Sequence, residues 1–242
     1  MRTFLGAVSF LTILRVAGQP VSPGRAAMFF PLIGAILGAA GAGIYLAAAY
    51  VLPASLAALL TVAFWTGISG VLHEDGLADV ADALRAGRSQ ETMLAILKDS
   101  RIGAFGAVAI ALSVLARWQA LEHLATARVL EVCIAAQAVP RAALVAMAWV
   151  SRPAGTGLGH TFSHTLTTTT ALVAMAQGVG AAFACGWRAG IVMVLGSYLM
   201  IRVARWLFYR RIGGVNGDCL GATEQLLEIF VLVLFTCRAC AW

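Results

Sequence analysis

The chain has 242 residues, of which 61% are hydrophobic and 12% charged, about half the charged share of an ordinary soluble domain. Its mean hydropathy of +0.88 is too apolar for a water-facing surface around a protein of this size. The net charge of +6 comes from scattered residues, mostly Arg with the single Lys98. The composition therefore excludes a soluble enzyme, a disordered chain, a disulfide scaffold and a nucleic-acid-binding domain, and leaves a polytopic helical membrane protein.

A spanning helix needs about 20 apolar residues. The run Phe4 to Leu14 is too short, and Arg15 closes it without the small-residue cleavage site of a signal peptide. It is expected to be an interfacial or partly inserted helix. Ala26 to Leu52 is the first predicted span, with Gly34, Gly38, Gly41 and Gly43 placed for close helix packing and Pro53 as its stop. Ala54 to Leu72 is the second. The apolar pattern then lapses from His73 to Arg101. It resumes over Ile102–Leu121, Val129–Val150, Thr167–Trp187, Ala189–Tyr209 and Leu226–Trp242. The expected fold is all-α: a polytopic integral membrane bundle of about seven spans plus the N-terminal partial helix, one transmembrane domain over 1–242.

These spans put the polar loops 73–101, 151–166 and 210–225 on one side, with Arg15 and Arg25. That side also holds Arg85, Arg88, Lys98, Arg101, Arg152, Arg210 and Arg211. The opposite loops hold Arg128 and Arg188, with Arg117 close by. The bias makes the first side cytoplasmic. Cys133, Cys185, Cys237 and Cys240 lie in or beside apolar runs and Cys219 in a polar one. None has a His partner at metal-ligand spacing, so all read as reduced thiols.

Nine of the eleven carboxylates fall in two groups. Glu74, Asp75, Asp79, Asp82, Glu91 and Asp99 belong to the first loop. Asp218, Glu224 and Glu228 lie in or just after the last. If the second span continues as a helix, Asp75, Asp79 and Asp82 stand at i, i+4 and i+7 and form one stripe. Three like charges on one face repel, and a divalent cation would relieve them. Carboxylates without clustered His or Cys favour a hard ion, and Mg²⁺ commonly works together with substrate phosphates. A solvated acidic loop is the plainer alternative. His73, beside the stripe, is a candidate base or substrate contact.

Lys98-Asp99-Ser100-Arg101 then enters a span through Gly103 and Gly106. Lys98 and Arg101 could hold phosphate, with Ser100 and helix-start N–H groups adding donors. The glycines of Gly213-Gly214-Val215-Asn216-Gly217-Asp218 allow close backbone approach. Four spans separate the two acidic groups, an even number, so both return to one face. Asp218 is expected to join the first stripe across the bundle; otherwise it caps the next helix. Arg141, after Pro140, and Glu131 are intramembrane charges open to structural pairing or substrate contact. The loop Ser151–Gly159 reads as flexible, and His160 and His164 lack the acid or Cys that would complete a zinc site.

The three motifs, His73-x-Asp75-Gly-Leu-Ala-Asp79-x-x-Asp82, Lys98-Asp-Ser-Arg-Ile-Gly-x-Phe-Gly106 and Gly213-Gly-x-Asn-Gly-Asp218-x-x-Gly-Ala-x-Glu224, resemble the cobalamin synthase (adenosylcobinamide-GDP ribazoletransferase) family. The likeness extends to Phe30–Gly34 and Arg152–Gly159, and departs at Ala83, where the family commonly has Gly. The resemblance implies Mg²⁺-dependent transfer of the phosphocobinamide group of adenosylcobinamide-GDP to α-ribazole or α-ribazole 5′-phosphate, with GMP released. It implies Asp75, Asp79, Asp82 and Asp218 as metal ligands. Lys98, Ser100, Arg101, Arg152 and Asn216 would hold phosphate or substrate. Catalysis would fall to His73, Asp82 and Asp218, with His73 or Asp82 as base. The expected setting is the inner membrane, with the active site facing the cytoplasm and no nucleic acid as partner. A homo-oligomer or association with other enzymes of the pathway is compatible with it. A CDP-alcohol-type phosphotransferase is the nearer rival and a transporter the more distant one, since transporter sites usually sit at the midplane.

Overall fold

A computed structural model describes residues 1–16, 21–86, 89–99, 101–155 and 158–237. Arg88, Ser100, Arg238 and Cys240 lie outside the described residues. Among those described, all regular structure is helical, joined by one bridge between Pro153 and Val215. The helices in chain order are α1 (Arg2–Leu11), α2 (Pro23–Ala26), α3 (Phe30–Ala49), α4 (Ala54–Ile68), α5 (Leu72–Ala86), α6 (Gln90–Ile96), α7 (Ala104–Glu122), α8 (Val129–Trp149), α9 (Leu158–Thr165), α10 (Thr168–Ala184), α11 (Trp187–Ile212) and α12 (Gly217–Leu234).

Among the described residues four segments are long and apolar enough to cross a bilayer: Pro23–Ala49, Ala104–Glu122, Thr126–Trp149 and Trp187–Ile212. Two bent pairs raise the number to six, Ala54–Ile68 with Leu72–Ala86 at 85° and Gly159–Thr165 with Thr168–Ala184 at 102°. The expectation of about seven spans is thus not matched one for one. At 10 residues, α1 is about 15 Å long, half a hydrocarbon core, and buries Ala7 and Leu11. The last predicted span, Leu226–Trp242, starts too late: α12 begins at Gly217, with Asp218 half-buried near its start and Glu224 and Glu228 buried inside the bundle. Glu224 and Glu228 masked it, because they pair with arginines on other helices instead of facing water. The supposed loops are largely helix, with α5 and α6 in 73–101, α9 in 151–166, and the end of α11 and start of α12 in 210–225.

The centre is α8, which buries residues along most of its length. It packs against α3, where a Cβ on Gly34 or Gly38 would strike the Gln137 or Cys133 backbone, so these glycines permit the close approach. Gly41 gives room to the Trp65 ring, whereas Gly43 faces open space. The second span does not run on as one helix. It breaks where Gly70 (φ 63°) and Val71 (φ 64°) are both left-handed, a costly conformation for β-branched Val. The break turns α5 into the bundle against α7 and α12.

Candidate active site

On α5 the i, i+4, i+7 stripe forms: Asp75 is exposed and Asp79 and Asp82 half-buried, while Leu77, Val80 and Ala83 on the other side are buried. α12 crosses this helix at glycine. A Cβ on Gly76 would stand 2.8 Å from the Asp218 carbonyl oxygen, so only a bare backbone lets the two helices touch here. Asp218 thereby reaches the first acidic group. The charges of Asp75, Asp218, Asp82 and Asp99, in that order, all repel charge on Asp79. Asp218 does not cap its helix. Asn216 does, accepting from the Cys219 N–H at 3.0 Å while its Nδ2 donates to Asp218 at 2.7 Å. Asn216 is therefore committed to shaping the loop.

Asp82 has a different task from its neighbours. Its carboxylate accepts from the N–H of Gly103 at 2.7 Å and of Gly106 at 2.9 Å, capping α7 through the orphan donors of the first turn. This accounts for both glycines of that motif, since a Cβ at either would lie 2.5 Å from an Asp82 oxygen. Arg101, expected to clamp phosphate, instead forks onto Asp99, with Nη2 to Oδ2 at 2.6 Å. That pairing holds the exposed Asp99 carboxyl below its usual range. Arg152 donates from Nε to the Gly213 carbonyl at 2.7 Å and lies over the Tyr209 ring. Its backbone joins the bridge to Val215, so the described start of the loop read as flexible, Arg152 to Ala154, is held to Val215. Lys98 is exposed, free of ion pairs among the described residues, and lines a cavity of about 190 Å³ together with His160, Asn216 and Asp218.

A second cavity of about 170 Å³ adjoins it, sharing Gly159, Gly217 and Asp218. Its walls include His73, Asp75, Phe10, Phe30 and Phe162. His73 is buried, neither ring nitrogen makes a hydrogen bond among the described residues, and Nε2 lies 3.7 Å from Glu224. Among the described residues no three His, Cys, Asp or Glu side chains converge closely enough to hold a metal ion unaided, and the His160–His164 pair, ring centroids 4.2 Å apart, gains no third ligand. Half-buried carboxylates beside a phosphate-sized cleft nevertheless suit Mg²⁺, which takes one or two protein oxygens and completes its shell with water and substrate phosphate.

Behind the stripe lies a buried ionic network that sequence reasoning did not assemble. Arg117, counted near the opposite loops, is in fact interior, reaching Glu74 at 2.9 Å and Glu228 at 3.3 Å. Arg141 reaches Glu224 at 3.0 Å and the Gln137 side chain at 2.8 Å, so it is structurally paired. Glu131 pairs with Arg128. The available signal was arithmetic: buried charges must be partnered.

Comparison with known proteins identifies the scaffold. The family model described as cobalamin-5-phosphate synthase matches residues 3–236. The chain belongs to the cobalamin-5-phosphate synthase family. Proteins named adenosylcobinamide-GDP ribazoletransferase are similar to it. That of Ralstonia pickettii is 37% identical over 86% of this chain and 83% of its own. The Bradyrhizobium diazoefficiens protein is 36% identical over 94% and 90%, and the Vibrio parahaemolyticus protein 34% over 96% and 90%. No solved structure matches the chain. As a cobalamin-5-phosphate synthase family member the chain is a transferase acting in nucleotide-loop assembly of cobalamin, and its long apolar helices make it a membrane protein.

Proposed function

We propose that the chain transfers the phosphocobinamide group of adenosylcobinamide-GDP to α-ribazole or its 5′-phosphate in a Mg²⁺-dependent reaction. An acceptor hydroxyl forms the new P–O bond, the phosphoanhydride bond breaks, and GMP leaves. The observation that carries this reading is the convergence of Asp75 and Asp218 on one cavity, with Asp79 close enough to feel both charges and Asp218 also lining the adjoining cavity that Lys98 walls.

The residues divide the work. Asp75, Asp79 and Asp218 would hold the ion, which when bound supplies charge neutralisation for the diphosphate and its leaving group. Lys98 offers a point charge for phosphate oxygens. His73 is the better-placed base: it lines the cavity with its ring nitrogens unengaged, whereas both Asp82 oxygens already accept backbone N–H groups. Glu224, behind the ring, would steady the imidazolium. The buried pairs Arg117–Glu74 and Arg141–Glu224 position α5 and α12 and touch no substrate. Lys98 lines the cavity, and Arg85, Arg101 and Arg152 belong to the same polar segments of the chain, a basic bias that supports a cytoplasmic site in an inner membrane.

The test is transfer by the purified chain in lipid, given adenosylcobinamide-GDP and α-ribazole 5′-phosphate with and without Mg²⁺. Product and GMP in equal amounts, abolished by chelation and restored by Mg²⁺, are expected. Full turnover after exhaustive chelation would refute the metal, and no GMP under any condition would refute the reaction.

A further inference from the structure

The cavity beside His73 is chemically two-sided. One side is aromatic: Phe10 from α1, Phe30 from α3 and Phe162 from α9 lie nearly parallel, with interplanar angles of 15°, 6° and 16° and centroids 5.3, 5.8 and 6.4 Å apart. Phe30 and Phe162 are almost wholly buried. The other side is polar, with Asp75, Asp218 and His73, the last 4% exposed and, among the described residues, without a hydrogen-bond partner at either ring nitrogen. A purely structural core has no reason to leave an imidazole unpaired against a void, since buried polar groups are normally satisfied. An apolar cavity of about 150 Å³ admits a benzene ring, and this one, at about 170 Å³, opens past Gly217 toward the Lys98 cavity.

We propose that this chamber holds the flat azole base of the acceptor. Phe10, Phe30 and Phe162 form its walls, and the attached ribose lies at the His73–Asp75–Asp218 edge. The donor's phosphates then come from the Lys98 side, so the two substrates meet at Asp218, which both cavities share. α1 thereby becomes part of the binding site, and the three phenylalanines determine which base is accepted, since flat rings prefer offset-stacked aromatic neighbours. This assignment rests on the ribazole-transfer reading, and the experiment separates the two.

Equilibrium dialysis of a labelled benzimidazole riboside, without donor, is measured on the full chain in lipid. The proteins compared are wild type, Phe162→Ala, the milder Phe162→Leu, and Leu112→Ala on the exposed surface. Riboside binding is expected to weaken about tenfold in Phe162→Ala and a few-fold in Phe162→Leu, and to stay unchanged in Leu112→Ala. In the transfer assay the KM for the ribazole acceptor should rise by the same factor, while that for adenosylcobinamide-GDP stays put. Unchanged riboside affinity in Phe162→Leu, as expected if an acyl chain fills the chamber, overturns the assignment even when transfer is intact. Phe162-dependent binding by a protein that transfers nothing upholds the chamber and removes the transferase reading instead.

Discussion

Two sets of carboxylates ride on the same pair of helices and live differently. Glu74 on α5 and Glu224 and Glu228 on α12 are buried, and arginines of α7 and α8 answer them. Asp75, Asp79 and Asp218 on the same helices are more exposed, and among the described residues no ion pair reaches them. The difference separates two uses of an acid in a membrane. Where the protein supplies the cation, the pair fixes helix positions at a net benefit that desolvation keeps small. Where it does not, repulsion remains and a cation from solution can relieve it.

Neutralising one member of each set should break that symmetry most visibly. Asp79→Asn is expected to reduce transfer roughly 100-fold or more while thermal unfolding in detergent stays at or above the wild-type midpoint, because one source of repulsion is removed. A variant with near-normal turnover would place the ion elsewhere.

Arg117→Leu should do the reverse. It strands Glu74 and Glu228, at a cost of about 3–5 kcal/mol, read as a fall in unfolding midpoint and in folded yield. The folded fraction should keep turnover within a few-fold of wild type. An unchanged midpoint would mean that the network is not a structural tie.

Asp82 stands between the two sets and sharpens the boundary. Asp82→Ala removes the cap on α7 and should cost about 1 kcal/mol, with amide exchange rising at Gly103 and Gly106. Gly106→Ala should mimic it by pushing the carboxylate away, since a Cβ there stands 2.5 Å from the carboxylate oxygen. Protected amides in both variants would deny the capping role.

The smallest effect belongs to the exposed Asp99–Arg101 pair. The Asp99 carboxyl is depressed by its hydrogen bonds to Arg101, so whatever stability it adds is present above the ordinary carboxylate pKa and lost as pH falls through the lowered one. Solvent screens such pairs strongly, so Asp99→Asn should leave the midpoint unchanged from pH 5 to 8. A clear shift would show the pair to be more than a surface contact.

The chain showed the stripe before the scaffold. The spacing of Asp75, Asp79 and Asp82 is a local property, so it could be read in one dimension, as could the glycines of α3. The break at Gly70–Val71 could not, because a left-handed Val carries no sequence signature. Nor could the role of Arg117: an arginine near the end of an apolar run reads as a boundary anchor until the acids on two other helices are placed around it. The same holds for α12, whose acids look like loop residues until Arg117 and Arg141 are brought opposite. Phe10, Phe30 and Phe162, far apart in sequence, meet only through the fold.

The most direct test of the division is Mn²⁺ binding followed by electron paramagnetic resonance, with GDP present to supply phosphate oxygens. Wild type and Arg141→Lys, which keeps the charge opposite Glu224, should bind the ion alike, and Asp79→Asn should lose most of that binding. Undiminished Mn²⁺ binding in Asp79→Asn would contradict the claim that the unpaired carboxylates of α5 and α12 are the cation site.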